Sequence, residues 1–79
     1  MQVEVYNYAQ GLELFIPGAR FGQKFQVEVP PDAKVKDVLA KLGIPLNVFA
    51  VLVNGHHATI ETPCHPNDCI YLLEALQGG

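Results

Sequence analysis

Residues 32–45 read DAKVKDVLAKLGIP, and the periodicity of that stretch decides the fold. Val35, Val38, Leu39 and Leu42 fall at i, i+3, i+4 and i+7, the apolar stripe of a short amphipathic helix. Asp37 lies in the first turn, where the helix dipole favours negative charge. Gly43 suits the C-terminal cap and Pro45 stops the helix from continuing.

On both sides of this helix the period drops to two. In MQVEVYNY (1–8), Val3 and Val5 point one way and Gln2, Glu4 and Tyr6 the other, the signature of a half-buried strand. GQKFQVEVPP (22–31) repeats it, with Phe25, Val27 and Val29 inward, Lys24, Gln26 and Glu28 outward, and Pro30-Pro31 as the stop. Between them AQGLELFIPGARFG (9–22) is punctuated by Gly11, Pro17, Gly18 and Gly22 and reads as a loop or irregular hairpin. After the helix, AVLVNG (50–55) returns to strand and ends on Asn54-Gly55, a strong hairpin-turn signal. HHATIETPCHPND (56–68) is irregular, with room for a short edge strand around Ala58 to Ile60, and CIYLLEAL (69–76) forms the last strand.

The order is strand, strand, helix, strand, short strand, strand. A lone amphipathic helix between two strand pairs must cover one face of their sheet, because nothing else can. The expected class is α+β: a β-grasp (ubiquitin-like) fold, with a mixed sheet of four to five strands and one main helix on one face. The chain forms a single domain, 1–79, with 75–79 as a flexible C-terminal tail.

Composition agrees with a small globule and narrows its partners. The 79 residues are 49% hydrophobic and 16% charged, with a net charge of −3. No basic field exists to attract nucleic acid or an acidic membrane surface. No apolar run reaches the ~20 residues of a membrane span, and no signal-peptide pattern opens the chain, so a cytoplasmic location is expected. Cys64 and Cys69 read as free thiols, since a bridge between them would close a very short loop through Pro66.

Two groups of residues invite a chemical reading. His56, His57, Cys64, His65 and Cys69 are soft ligands close together in sequence, but adjacent histidines in an extended segment point apart and the Cys64–Cys69 spacing is loose for zinc. No metal site is expected; the histidines cap an exposed turn and Cys69 packs in or beside the sheet. Pairing Cys64 or Cys69 with His65 for nucleophilic catalysis fails because sequence neighbours seldom face each other. The second group is apolar. With Val51, Val53, Ile70 and Leu72 facing the helix, Leu52, Tyr71 and Leu73 fall on the uncovered side of neighbouring strands. That patch is either a docking surface or is buried by Phe15, Ile16 and Phe21 of the 9–22 loop.

VLVNG (51–55) followed by PNDCIYLLEALQGG (66–79) resembles the ThiS/MoaD family, the sulfur carrier proteins of thiamine and molybdopterin biosynthesis. Asn54 matches that family's turn asparagine, Asp68 its turn aspartate, Ile70 and Leu72 the inward positions of the last strand, and Gly78 and Gly79 the terminal diglycine. KVKDVLAKLGIP looks like the family's helix. The sequence departs at Asn67, which replaces a turn glycine and tolerates the same left-handed backbone, at Lys34, which stands where the family has a cap threonine and leaves an expected chemically weak cap at the helix start, and in the 9–22 loop.

The resemblance implies a function for the terminus. An E1-like adenylating enzyme uses ATP to activate the free carboxylate of Gly79, and sulfur from a persulfide donor then replaces AMP to leave a thiocarboxylate. An acceptor synthase takes the sulfur. The carrier binds no cofactor and is a protein cosubstrate, not an enzyme. Gly78 and Gly79 lack Cβ atoms, so backbone passes through narrow channels; Ala75, Leu76 and Gln77 form the stem that docks along the partner's groove. Two other readings stay open: a ubiquitin-like modifier conjugated through Gly79, and a stand-alone interaction module with an idle terminus.

Overall fold

The structure, a computed structural model, describes residues 1–75. The helical period of 32–45 becomes helix α1, Val35–Leu42, with Val35, Val38 and Leu39 buried. Its C-terminal end closes as expected: Gly43 turns left-handed (φ 75°) and the Ile44 N–H donates to the Leu39 carbonyl at 2.9 Å. The N-terminal end is not weak. The Lys34 N–H donates to Asp37 Oδ2 at 2.8 Å, while the N–H groups of Val35 and Lys36 donate to the carbonyls of Thr62 and Ile60, each at 2.9 Å. Tertiary backbone acceptors thus replace the missing cap side chain, satisfying donors that a helix end otherwise leaves free.

Five strands make up the sheet among the described residues: β1 (Gln2–Tyr8), β2 (Lys24–Glu28), β3 (Phe49–Val53), β4 (His56–Ala58) and β5 (Cys69–Glu74). They lie in the order β2-β1-β5-β3-β4. All neighbours are antiparallel except β1 and β5, which run parallel at the centre. β4 begins earlier than the sequence suggests, at His56 and not near Ala58. The cause is the Asn54-Gly55 turn: both residues take positive φ (52° and 86°), as a two-residue I′ hairpin requires, and Val53 pairs directly with His56. Residues 59–62 then form a separate turn in which Thr62 Oγ1 accepts from the Thr59 N–H.

The core lies between α1 and one face of the sheet, where Val3, Val5, Val27, Val38, Leu39, Ile70 and Leu72 are at most 3% exposed. Each such side chain contributes about 1.5–3 kcal/mol by leaving water. The 9–22 segment belongs partly to this core. It carries a 3₁₀ turn, Leu12–Leu14, whose Leu12 is fully buried, and Ile16 packs against the same cluster. Asn7 anchors the segment from β1: its Nδ2 donates to the Arg20 carbonyl at 2.9 Å and its Oδ1 accepts from the Ala9 N–H at 3.1 Å. Of the expected 75–79 tail, Ala75 is exposed just beyond β5; Leu76, Gln77, Gly78 and Gly79 lie outside the described residues.

Candidate docking face and root of the C-terminal strand

The face of the sheet opposite α1 is read from the strand registers. Lys24, Tyr6, Tyr71, Leu52 and His57 form one row across all five strands. Tyr8, Leu73 and Ala50 form the next row, towards the end of β5. Leu52, Tyr71 and Leu73 are therefore contiguous, half-buried and on the uncovered side.

The apolar region is wider than those three residues. Tyr6 stacks on Tyr71 with ring centroids 5.0 Å apart, and Tyr71 stacks on Tyr8 at 6.0 Å, so three rings stand parallel over β1 and β5. Tyr6 and Tyr8 enlarge the patch expected from Leu52, Tyr71 and Leu73, and the alternation that sends Gln2 and Glu4 outward sends them outward too. The 9–22 loop divides. Phe15 goes to the helix side and meets Phe49 edge-on, and only Phe21 reaches the tyrosines, edge-on to Tyr8 and itself 68% exposed. The loop extends the rim of the patch and does not roof it over.

A polar cluster borders the aromatic rows. Glu4 accepts from the Tyr6 hydroxyl at 3.1 Å and pairs with Lys24 at 3.4 Å. The Tyr6 hydrogen bond, followed by Lys24, holds the Glu4 carboxyl below its ordinary value. Partial burial, reinforced by Glu4, pushes the Tyr6 phenol up. The Cys69 thiol lies 3.9 Å from Glu4 Oε1 on the same face.

At the start of β5 the two turn residues singled out from sequence meet. Asn54 Nδ2 donates to Asp68 Oδ1 at 2.9 Å, and Asn54 Oδ1 accepts from the Cys69 N–H at 3.0 Å. The other Asp68 oxygen accepts from the His65 N–H at 2.8 Å, and the Asp68 carbonyl accepts from the Glu4 N–H. Asp68 is only 7% exposed, so these partners take the place of water. Asn67 adopts φ 67°, the left-handed conformation that its replacement of glycine demands. The β3–β4 hairpin, the 65–68 turn and β1 are thereby fastened to one point at the base of the strand that carries Tyr71, Leu73 and the C-terminal residues.

The soft ligands do not converge. His56 and His57 are successive exposed residues of β4, not caps of a turn. Cys64 is buried, and burial followed by the Asp68 charge pushes its thiol up; both cysteines are free. Among the described residues no group of three or more His, Cys, Asp or Glu side chains is placed to hold a metal, and no helix is long and apolar enough to cross a membrane.

Solved structures with this fold include SAMP1 of Haloferax volcanii, a small archaeal modifier protein, at 22% identity and TM-score 0.73 over the whole of both chains. A chain of the complex between subunits 1 and 2 of the molybdopterin-converting factor from Helicobacter pylori matches at 26% identity and TM-score 0.61, again over all of both chains. The ubiquitin of Caldiarchaeum subterraneum matches at 17% identity and TM-score 0.60, covering 100% of this chain and 98% of that one. No curated protein matches the sequence significantly. The ThiS family model matches residues 17–79, which take in the helix, the Asn54–Asp68 turns and Gly78-Gly79. By that match the chain belongs to the ThiS family.

Proposed function

We propose that the protein is a sulfur carrier whose Gly79 carboxylate is adenylated and then thiocarboxylated by partner proteins. The observation that carries this reading is the continuity of the open face with the strand leading to the terminus. Tyr6, Tyr71, Leu52, Tyr8 and Leu73 form one half-exposed apolar surface whose last row lies one residue short of the end of β5. An exposed aromatic surface of this kind suits a protein interface. A partner seated there fixes the outgoing chain near its own catalytic centre, converting a search by a tethered group into a positioned reaction. Ala75, Leu76 and Gln77 act as the stem, Gly78 provides clearance and Gly79 carries the reacting group. The protein serves as cosubstrate, with ATP consumed by the adenylating enzyme.

The likeness to a chain of the H. pylori complex between two subunits supports a second docking event, with a further protein partner. Whether the acceptor belongs to thiamine or molybdopterin synthesis is a matter of which synthase draws the sulfur. The modifier reading shares the activation step and is supported by the likeness to SAMP1. One experiment separates them: the protein is incubated with ATP, its adenylating enzyme and a sulfur donor, then weighed intact and fragmented. A mass gain equal to exchange of one oxygen for sulfur, located at Gly79 and absent from Gly79→Ala, supports carriage. Isopeptide-linked adducts on lysines of other proteins support conjugation. An unchanged mass with a competent enzyme sinks both.

A further inference from the structure

Asn-Gly is the sequence most prone to spontaneous deamidation, because glycine leaves its backbone nitrogen unshielded beside the asparagine side chain. Here that dipeptide is forced by the fold. The I′ turn needs positive φ at both positions, and only an amide at residue 54 can serve Asp68 and Cys69 together. A carboxylate accepts and a backbone N–H donates; the Asn54 side chain answers the first with Nδ2 and the second with Oδ1. Both residues of the turn are exposed to water. Burial does not protect them.

We propose that Asn54 is a latent modification site, held unreactive by its hydrogen bonds to Asp68 and Cys69 and converted when the base of β5 opens. In the reaction the Gly55 backbone nitrogen attacks Asn54 Cγ and loses its proton, the Cγ–Nδ2 bond breaks and ammonia departs, leaving a cyclic succinimide. Water then adds to one of the two ring carbonyls and opens the ring to aspartate or isoaspartate. No oxidant or cofactor is required. In the native turn Nδ2 donates to Asp68 and Oδ1 accepts from Cys69, so the departing nitrogen and the polarised oxygen are both held, and any rotation of the amide gives up those bonds.

The conversion does not reverse, and either product damages the lock. Aspartate at 54 places a second carboxylate where Nδ2 stood, 2.9 Å from Asp68 Oδ1. Like charges at that range beside a largely buried group disfavour the closed turn. Isoaspartate adds a methylene to the backbone of a two-residue turn whose register, Val53 to His56, admits no extra length. The site therefore records past opening of the strand root and makes it permanent.

The test follows deamidation at Asn54 by peptide mapping, in mildly alkaline buffer, for the native protein and for the same protein in denaturant. The native chain is expected to convert at least about tenfold more slowly, since reaction must await local opening. An Asp68→Ala variant that stays folded by circular dichroism is expected to recover much of the denatured rate. Equal rates in native and denatured wild-type protein overturn the proposal, and so does a folded Asp68→Ala that reacts no faster. Asn54→Asp supplies a readout of consequence. Its thermal midpoint should lie below that of the wild type, and Asn54→Asp combined with Asp68→Asn, which exchanges amide and carboxylate across the same bond, should recover part of the loss; no recovery counts against the proposed repulsion.

Discussion

The rings of Tyr6 and Tyr71 stack across the parallel pair β1 and β5 at 5.0 Å and within 16° of parallel. Their stacking joins the first strand to the last on the face that α1 leaves bare. Removing Tyr71 breaks its contacts with both Tyr6 and Tyr8 and leaves a dent in the centre of the patch. Tyr71→Ala is expected to remain folded, because the ring is only half-buried and Ile70 and Leu72 still fill the core. Docking to the adenylating enzyme proposed above should weaken by about 2 kcal/mol, roughly thirtyfold in Kd, as for a central aromatic anchor. Calorimetry with the purified partner checks this; unaltered affinity places docking elsewhere.

Tyr6→Phe isolates the hydroxyl from the ring. The phenol is the first of the influences that hold the Glu4 carboxyl below its ordinary value of 4.5, with Lys24 behind it. Without the hydroxyl the Glu4 pKa should rise towards that value while the ring stack persists. A carboxyl titration followed by NMR measures the change, and a Glu4 that titrates as before would show that the Tyr6–Glu4 bond is not formed in solution.

Asn7 offers a stability test of the loop. It is 1% exposed, and both ends of its amide are used, Nδ2 on the Arg20 carbonyl and Oδ1 on the Ala9 N–H. Asn7→Ala strands the buried Ala9 N–H, while the Arg20 carbonyl keeps its bond from the Gln23 N–H at 3.1 Å, and a buried group left unpaired costs about 1–3 kcal/mol. Denaturant unfolding should show a loss of that size, and amide exchange should accelerate in 9–22 before it does in the sheet.

The features legible in the sequence were those written in periodicity or in an unusual turn. The stripe of Val35, Val38, Leu39 and Leu42 placed the helix, alternation placed β1, β2 and β5, and Asn54-Gly55 placed a hairpin. What stayed hidden depended on contacts between distant segments. Nothing local tells that Thr62 and Ile60 cap α1, so Lys34 reads as a defect until their carbonyls are in place. Leu12 sits between Gly11 and Glu13 with no period to mark it, yet it is as deeply buried as Ile70. The aromatic face lay between these extremes. Alternation already aimed Tyr6 outward, but its stacking on Tyr71 needed the parallel β1–β5 register, which no single strand encodes.

The buried Leu12 carries a prediction of its own. Leu12→Ala should destabilise the fold by about 2–5 kcal/mol, the range for emptying a buried leucine site. A loop residue of no structural consequence would cost almost nothing, so a thermal or chemical melt decides at once.

Glu61 shows how the same tertiary cap responds to pH. It pairs with Lys36 Nζ at 3.0 Å and Lys34 Nζ at 3.3 Å, tying the 59–62 turn to the first turn of α1. Lys36, then Lys34, holds the Glu61 carboxyl below 4.5. A carboxyl whose folded pKa is depressed adds stability that is fully present above its unfolded value and is lost as pH falls through the folded one. All three side chains are well exposed, so the effect is small and is screened by salt. The wild type should therefore melt slightly above Glu61→Gln at neutral pH and low ionic strength. That gap should close below the folded pKa of Glu61 and shrink at high salt. A gap that persists in acid would mean that Glu61 acts through packing and not through charge, leaving the Ile60 and Thr62 carbonyls to hold the helix start unaided.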